Sequence, residues 1–214
     1  MKIHSINLNL QVDNELLHIG NSIYASTKGK MHPSGNYIYG TNNGISPSDI
    51  EKYSILNGNA EYLYDSPYHG DYPISGDLWF SEDGLRVFTR GKTVLRTSAN
   101  KDQDMLYNGT IALESNFAHI MNLDYSTVKN NIYIISSDED TWTNKRKPFI
   151  YIYNSNNLLF KSKIELEKYL VGANFYDAEP YFVFSNSSGN SIYVFTKAKG
   201  SGLVNEWGLQ KIDI

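Results

Sequence analysis

One phrase returns four times along this chain: a tight turn, then an aliphatic residue followed by an aromatic one. It reads Ser34-Gly35-Asn36 ahead of Ile38-Tyr39 and Glu82-Asp83-Gly84 ahead of Val87-Phe88. It returns as Lys129-Asn130-Asn131 ahead of Ile132-Tyr133 and Ser188-Gly189-Asn190 ahead of Ile192-Tyr193. Successive pairs lie 49, 45 and 60 residues apart. Gly and Asn tolerate the positive φ that a tight hairpin turn demands. Three of the turns are preceded by an apolar strand: Leu78-Trp79-Phe80, Ile120-Met121-Asn122-Leu123 and Phe182-Val183-Phe184. A third strand follows each hairpin, at residues 49–55, 93–97, 149–153 and 207–212. A fourth follows at residues 60–65, 105–113 and 158–164. Most of these stretches alternate apolar and polar residues, the period of a strand with two different faces.

Four antiparallel strands repeating every 45–60 residues is the period of a β-propeller blade. The sequence therefore predicts an all-β fold: a β-propeller or partial propeller of about four blades, each of four antiparallel strands. Residues 1–214 form one such domain, whole or a portion of a larger propeller. A β-sandwich also spaces short strands regularly, but it does not place the same phrase at the same point of every unit. The strand after the turn packs between neighbouring blades, so Trp79, Val87, Phe88, Ile132, Ile150, Val183 and Ile192 are expected to be buried. The 17 Tyr and 9 Phe agree, since aromatic residues suit a pleated, half-buried surface. Residues 163–170 are the one stretch that reads as a helix.

The ends pose a problem of register. Gly20-Asn21-Ser22-Ile23-Tyr24 nearly copies Gly189-Asn190-Ser191-Ile192-Tyr193, so Ile23-Tyr24 reads as the innermost strand of the first blade. Residues 6–10 and 16–19 are then two outer strands of a preceding blade. At the other end, residues 207–212 form a third strand with no fourth behind it. Either residues 16–19 close the ring within one chain, or two chains share their unfinished blades as a homodimer.

Composition excludes several classes. With no cysteine, disulfides, thiol nucleophiles and thiolate metal sites are ruled out. A net charge of −4 argues against nucleic acid, and Lys145-Arg146-Lys147 is too short a basic run to reverse that. No apolar run approaches the roughly 20 residues of a membrane span, so no membrane insertion is expected. No signal peptide is visible either. The expected location is extracellular or at the cell surface if the chain is a trimmed part of an exported protein, and cytoplasmic otherwise.

The stretch HPSGNYIYGTN, with SPSDIEKYSI and SEDGLRVFT, resembles the YVTN-type propeller repeats of bacterial surface and lactonase-like proteins. The match is close over residues 31–88 and loose elsewhere. The resemblance implies protein or ligand binding and, in some members, lactone hydrolysis. The family typically has seven blades where this chain has about four.

The most distinctive loop is YLYDSPYHGDYP, residues 62–73. Its Tyr64, Asp65, Tyr68, His69, Asp71 and Tyr72 are the candidate ligand-binding residues. A histidine between carboxylates suits a general base, and tyrosines offer flat amphipathic surface to a sugar or peptide. The competing reading is a connector whose prolines and glycine only shape turns. The five histidines show no zinc spacing, and no nucleophile elbow or phosphate loop is present, so no metal, cofactor or catalytic residue is assigned. Ser137-Asp138-Glu139-Asp140 lacks the spacing of a calcium loop and reads as a solvated hairpin tip. Two functional expectations follow. The first is a non-enzymatic module binding a protein or carbohydrate. The second is a lactonase-like hydrolase built from Asp65, His69, Asp71, Asp77 and Asp124 around a central channel. A third possibility is a structural portion of a larger surface protein.

Overall fold

All four recurrent turns form in the computed structural model, which describes residues 3–9, 12–15, 27–42, 44, 46–56, 59–137 and 145–214. The residue at the same place in each turn is left-handed: Gly35 (φ 74°), Gly84 (φ 68°), Asn130 (φ 51°) and Gly189 (φ 69°). Each donates its N–H to the carbonyl three residues back, on His32, Ser81, Thr127 and Asn186, at 2.9, 2.9, 3.2 and 2.9 Å. The repeated phrase is thus a repeated backbone conformation.

The strands joined by these turns build antiparallel meanders. After a hairpin of β1 (His4–Asn7) and β2 (Val12–Glu15) comes a four-stranded sheet of β3 (Lys28–Met31), β4 (Tyr37–Thr41), β5 (Ile50–Leu56) and β6 (Asn59–Asp65). A second sheet holds β7 (Leu78–Phe80), β8 (Arg86–Thr89), β9 (Thr93–Arg96) and β10 (Tyr107–Thr110). A third holds β11 (Ile120–Ser126), β12 (Asn131–Ser136), β13 (Phe149–Asn154) and β14 (Phe160–Glu165). The hairpin of β15 (Tyr169–Val171) and β16 (Asn174–Tyr176) precedes a sheet of three strands, β17 (Ala178–Ser185), β18 (Ser191–Ala198) and β19 (Trp207–Asp213). The fold is all-β and propeller-like. Among the described residues the only helical turn is a 3₁₀ turn at Lys101–Gln103, and no helix is long and apolar enough to cross a membrane.

The chain divides into two compact units, Met1–Gly109 and Thr110–Ile214. In the first, Tyr39 and Ile50 of one sheet pack with Leu78, Val87 and Leu95 of the next, together with Ile74 and Met105. In the second, Tyr133, Ile135, Ile150 and Ile152 pack with Val183, Ile192 and Val194. All seven residues expected between blades are buried. The turns also lock neighbouring sheets. The Gly84 carbonyl accepts from His32 Nε2 at 2.7 Å, which fixes the proton on that nitrogen, while Nδ1 accepts from the Ser34 N–H at 3.1 Å. A Cβ on Gly84 would sit 2.8 Å from the His32 ring, and one on Gly189 2.9 Å from the Lys129 side chain.

Three expectations need correction. Residues 163–170 are not helical: Ile164 pairs with Ile150 and Lys163 with Tyr151 in β14, and a short connector leads to β15. The Lys and Glu content favours helix only weakly, and pairing with β13 overrides it. The fourth strand of the second sheet is Tyr107–Thr110, because Met105 turns left-handed (φ 53°) and buries its side chain instead. The strand beside β4 is Lys28–Met31, and the first hairpin pairs His4–Asn7 with Val12–Glu15. Ile23-Tyr24, residues 16–19 and Asp138-Glu139-Asp140 lie outside the described residues.

Candidate functional site

The loop at residues 62–73 leaves β6 and leads to β7, and the structure divides its six candidate residues among three environments. Tyr64 turns inward. Its hydroxyl donates to Asp104 Oδ2 at 3.1 Å, within a knot that sequence reasoning missed. There Lys52 Nζ lies 2.7 Å from Asp104 Oδ2, and both side chains are completely buried. Lys52 also donates to the Ser98 carbonyl at 2.6 Å, and Asp104 accepts from Tyr39 Oη at 3.0 Å and from the Ser98 N–H at 2.8 Å. The ammonium lies 4.1 Å from the Tyr37 ring centre. Burial and the Asp104 charge hold the Tyr39 and Tyr64 hydroxyls well above the ordinary phenol range. Every charge in the knot has a partner, as burial requires. Lys52 and Asp104 are 52 residues apart, and nothing local marks either.

Asp65, His69 and Asp71 belong to a second, wetter environment. Asp65 accepts from the Tyr62 hydroxyl at 2.6 Å. His69 Nδ1 lies 3.0 Å from Asp49 Oδ2, while its own N–H donates to Asp71 Oδ2 at 3.2 Å. Asp49 is held in turn by the Ser66 hydroxyl at 2.8 Å and the Ile50 N–H at 2.7 Å. Glu51, which accepts from the Tyr53 hydroxyl, completes a group of three carboxylates. Burial, then the charges of Asp65 and Asp49, push the Glu51 carboxyl up to about 7. Burial raises Asp49 as well, opposed by its hydrogen bonds and by His69. A His–Asp pair with an exposed ring could move a proton, but among the described residues no hydroxyl hydrogen-bonds His69 Nε2. No set of His, Asp and Glu among them is arranged to hold a metal ion.

Tyr68 and Tyr72 form the third environment, a half-exposed aromatic strip. Their rings meet edge to face at 4.8 Å, and Tyr72 stacks on Tyr107 at 4.4 Å and 9°. The Tyr68 hydroxyl accepts from the Tyr107 N–H at 2.9 Å, which ties the loop to β10. Asp77 and Asp124, the remaining candidates for chemistry, serve the backbone. Asp77 accepts from the Leu78 N–H at 2.9 Å, and Asp124 from both the N–H and hydroxyl of Ser185 at 2.6 Å.

Fold and loops together define an all-β, propeller-like protein, and the comparisons agree at that level. One similar solved structure is Kuenenia stuttgartiensis hydrazine synthase, with a TM-score of 0.64, 14% identity, and coverage of 99% of this chain and 56% of that one. Another is a functionally unknown protein from Desulfotomaculum acetoxidans, with a TM-score of 0.58, 14% identity, and coverage of 97% and 61%. At these identities the likeness concerns the fold alone, and this chain spans about three fifths of each structure. No family model and no curated protein matches the sequence.

Proposed function

We propose that this chain is a non-enzymatic binding module on a propeller-like scaffold, with its ligand, a glycan or a protein, met by the loop at residues 62–73. The observation that supports this most is the fate of the five residues that could have formed a hydrolytic centre. Asp65, His69, Asp71, Asp77 and Asp124 each hold a neighbouring hydroxyl, carboxylate or backbone N–H, as a scaffold requires. The strip of Tyr68, Tyr72 and Tyr107 offers the amphipathic surface expected of a recognition loop. The repeated left-handed turn supports kinship with the YVTN-type repeats and, with it, a cell-surface setting. The test pairs a glycan array with a panel of lactones. Expected is retention of a glycan, weakened in Tyr72→Ala, with no lactone turnover. Turnover abolished by His69→Ala would overturn the reading in favour of a hydrolase.

A second reading concerns assembly, in which another copy of the chain covers the exposed face of the β17–β19 sheet. It is favoured by the three-stranded sheet β17–β19, whose outer face carries Phe182, Phe184, Phe195, Trp207 and Leu209, all substantially exposed.

A further inference from the structure

A cavity of about 630 Å³ opens in the second unit between the β15–β16 hairpin, the segment entering β13 and the turn after β18. That volume lies within the range of small-ligand sites. Its charge runs against that of the chain. Lys145, Arg146, Lys147, Lys168 and Lys199 line it, against Asp177 and Glu179, in a protein whose net charge is −4. Among the described residues the cluster keeps an excess of positive charge even with Glu114, which takes Lys147 at 3.3 Å; Asp138, Glu139 and Asp140, which precede Lys145, lie outside them.

Four of the five cations are held in place by a carboxylate within 4 Å. Arg146 is fixed by a bridge between its backbone and Ser137, and its guanidinium lies 4.0 Å from the Tyr181 ring centre. Its Nη1 forms an ion pair with Glu179 Oε1 at 3.8 Å, beyond hydrogen-bond reach, and among the described residues neither Glu179 Oε1 nor Arg146 Nε, both buried, has a hydrogen-bond partner. Lys199 lies 3.2 Å from Glu179 Oε2, and Lys168 lies 2.9 Å from Asp177, with both lysines more than half exposed. Beside them, Phe175 on β16 exposes 70% of its surface.

We propose that this cavity binds an acidic saccharide, its carboxylate or sulfate received by Arg146, Lys168 and Lys199 and its ring face laid on Phe175. A rigid sugar ring carries charge and apolar face together at fixed spacing. An acidic peptide would bring them on separate side chains, each losing rotamer freedom on binding. The site is separate from the loop at residues 62–73, so it stands or falls independently of that loop.

The test is calorimetric titration of the full chain with a galacturonate trimer, using a neutral galactose trimer, poly-glutamate and inorganic phosphate as the other arms. Expected is binding of the galacturonate trimer, none of the neutral sugar, and affinity that falls as salt rises. Lys199→Ala should weaken binding roughly tenfold, the worth of one charge-assisted contact. Phe175→Ala should weaken the trimer and leave phosphate unchanged. Phe175 is exposed, so its removal does not threaten the fold; Lys199 pairs the buried Glu179, so a melting curve of Lys199→Ala separates lost binding from lost stability. Tighter binding of poly-glutamate would overturn the proposal in favour of a peptide. Phosphate bound as tightly as the trimer would reduce the site to an adventitious ion, and no binding of the trimer would remove it altogether.

Discussion

Glu51 and Lys52 are neighbours on β5 that point to opposite faces of one sheet, and they make opposite demands on pH and packing. Glu51 titrates from an ordinary 4.5 up to about 7 in the folded chain. Between those values the folded chain holds a proton that the unfolded chain has released, so stability falls as pH rises through the window. Urea midpoints at about pH 5 and about pH 7.5 should therefore drop in the parent and drop less in Glu51→Gln, which cannot ionise. An equal drop in both would remove Glu51 as the cause. Glu114 acts in a different window. Lys163 first, then Tyr151 and Lys147, hold it down to about 2, so its contribution is lost only as pH falls below 4.5. Lys52 raises a question of pairing rather than titration. Asp104→Ala leaves an ammonium buried without its counterion, and a loss of about 3–5 kcal/mol is expected. Lys52→Met combined with Asp104→Leu should lose less than the two single changes added together. Strict additivity, measured by denaturation of all three variants, would show that the two charges do not act as a pair.

At the scale of the element, the turns were legible in the sequence because their cause is local. A positive φ at residues 35, 84, 130 and 189 favours Gly or Asn by local sterics. Two of these glycines allow a test of how much more the turn does. Gly35 and Gly84 share the backbone conformation, but a Cβ on Gly35 meets nothing within 4 Å while one on Gly84 meets the His32 ring at 2.8 Å. Gly35→Ala should cost about 1–2 kcal/mol, the left-handed strain alone. Gly84→Ala should cost clearly more, because the His32 ring must leave the Gly84 carbonyl it donates to. Equal losses in urea would mean that this contact between sheets contributes nothing. What the sequence hid was non-local. Propensity made residues 163–170 look helical, yet Ile150 across the sheet decides the conformation of Ile164. Of the candidate loop, its existence and its tyrosines could be read. That Tyr64 would point at Asp104, 40 residues away, and that Asp49 would arrive from the β4–β5 connection to hold His69, could not.

For the molecule as a whole, the open question is what becomes of the three-stranded sheet. Cross-strand pairing puts Phe182, Phe195 and Leu209 in one row and Phe184, Tyr193 and Lys211 in the next, with Lys197 beside Trp207. The opposite face, with Val183, Ile192 and Val194, is already buried in the core of the second unit. β17 and β18 are therefore apolar on both sides, and among the described residues no strand pairs with the outer edge of β19. Five large apolar side chains, each about half exposed, present on the order of 400–500 Å² of apolar surface. A stable interface buries about 800 Å² per partner, so the face supplies roughly half of one, and the edge of β19 and the lysine rim must supply the rest. The expected outcome is weak, concentration-dependent association, visible by sedimentation velocity as a monomer–dimer exchange in the micromolar range. Phe195→Glu sets a carboxylate at the centre of the face, 41% exposed in the single chain and so tolerable there. It should leave the melting temperature of the dilute monomer nearly unchanged while abolishing the dimer. A parent that sediments as a monomer at every concentration, or a dimer that survives Phe195→Glu, would show that this face is not where copies meet.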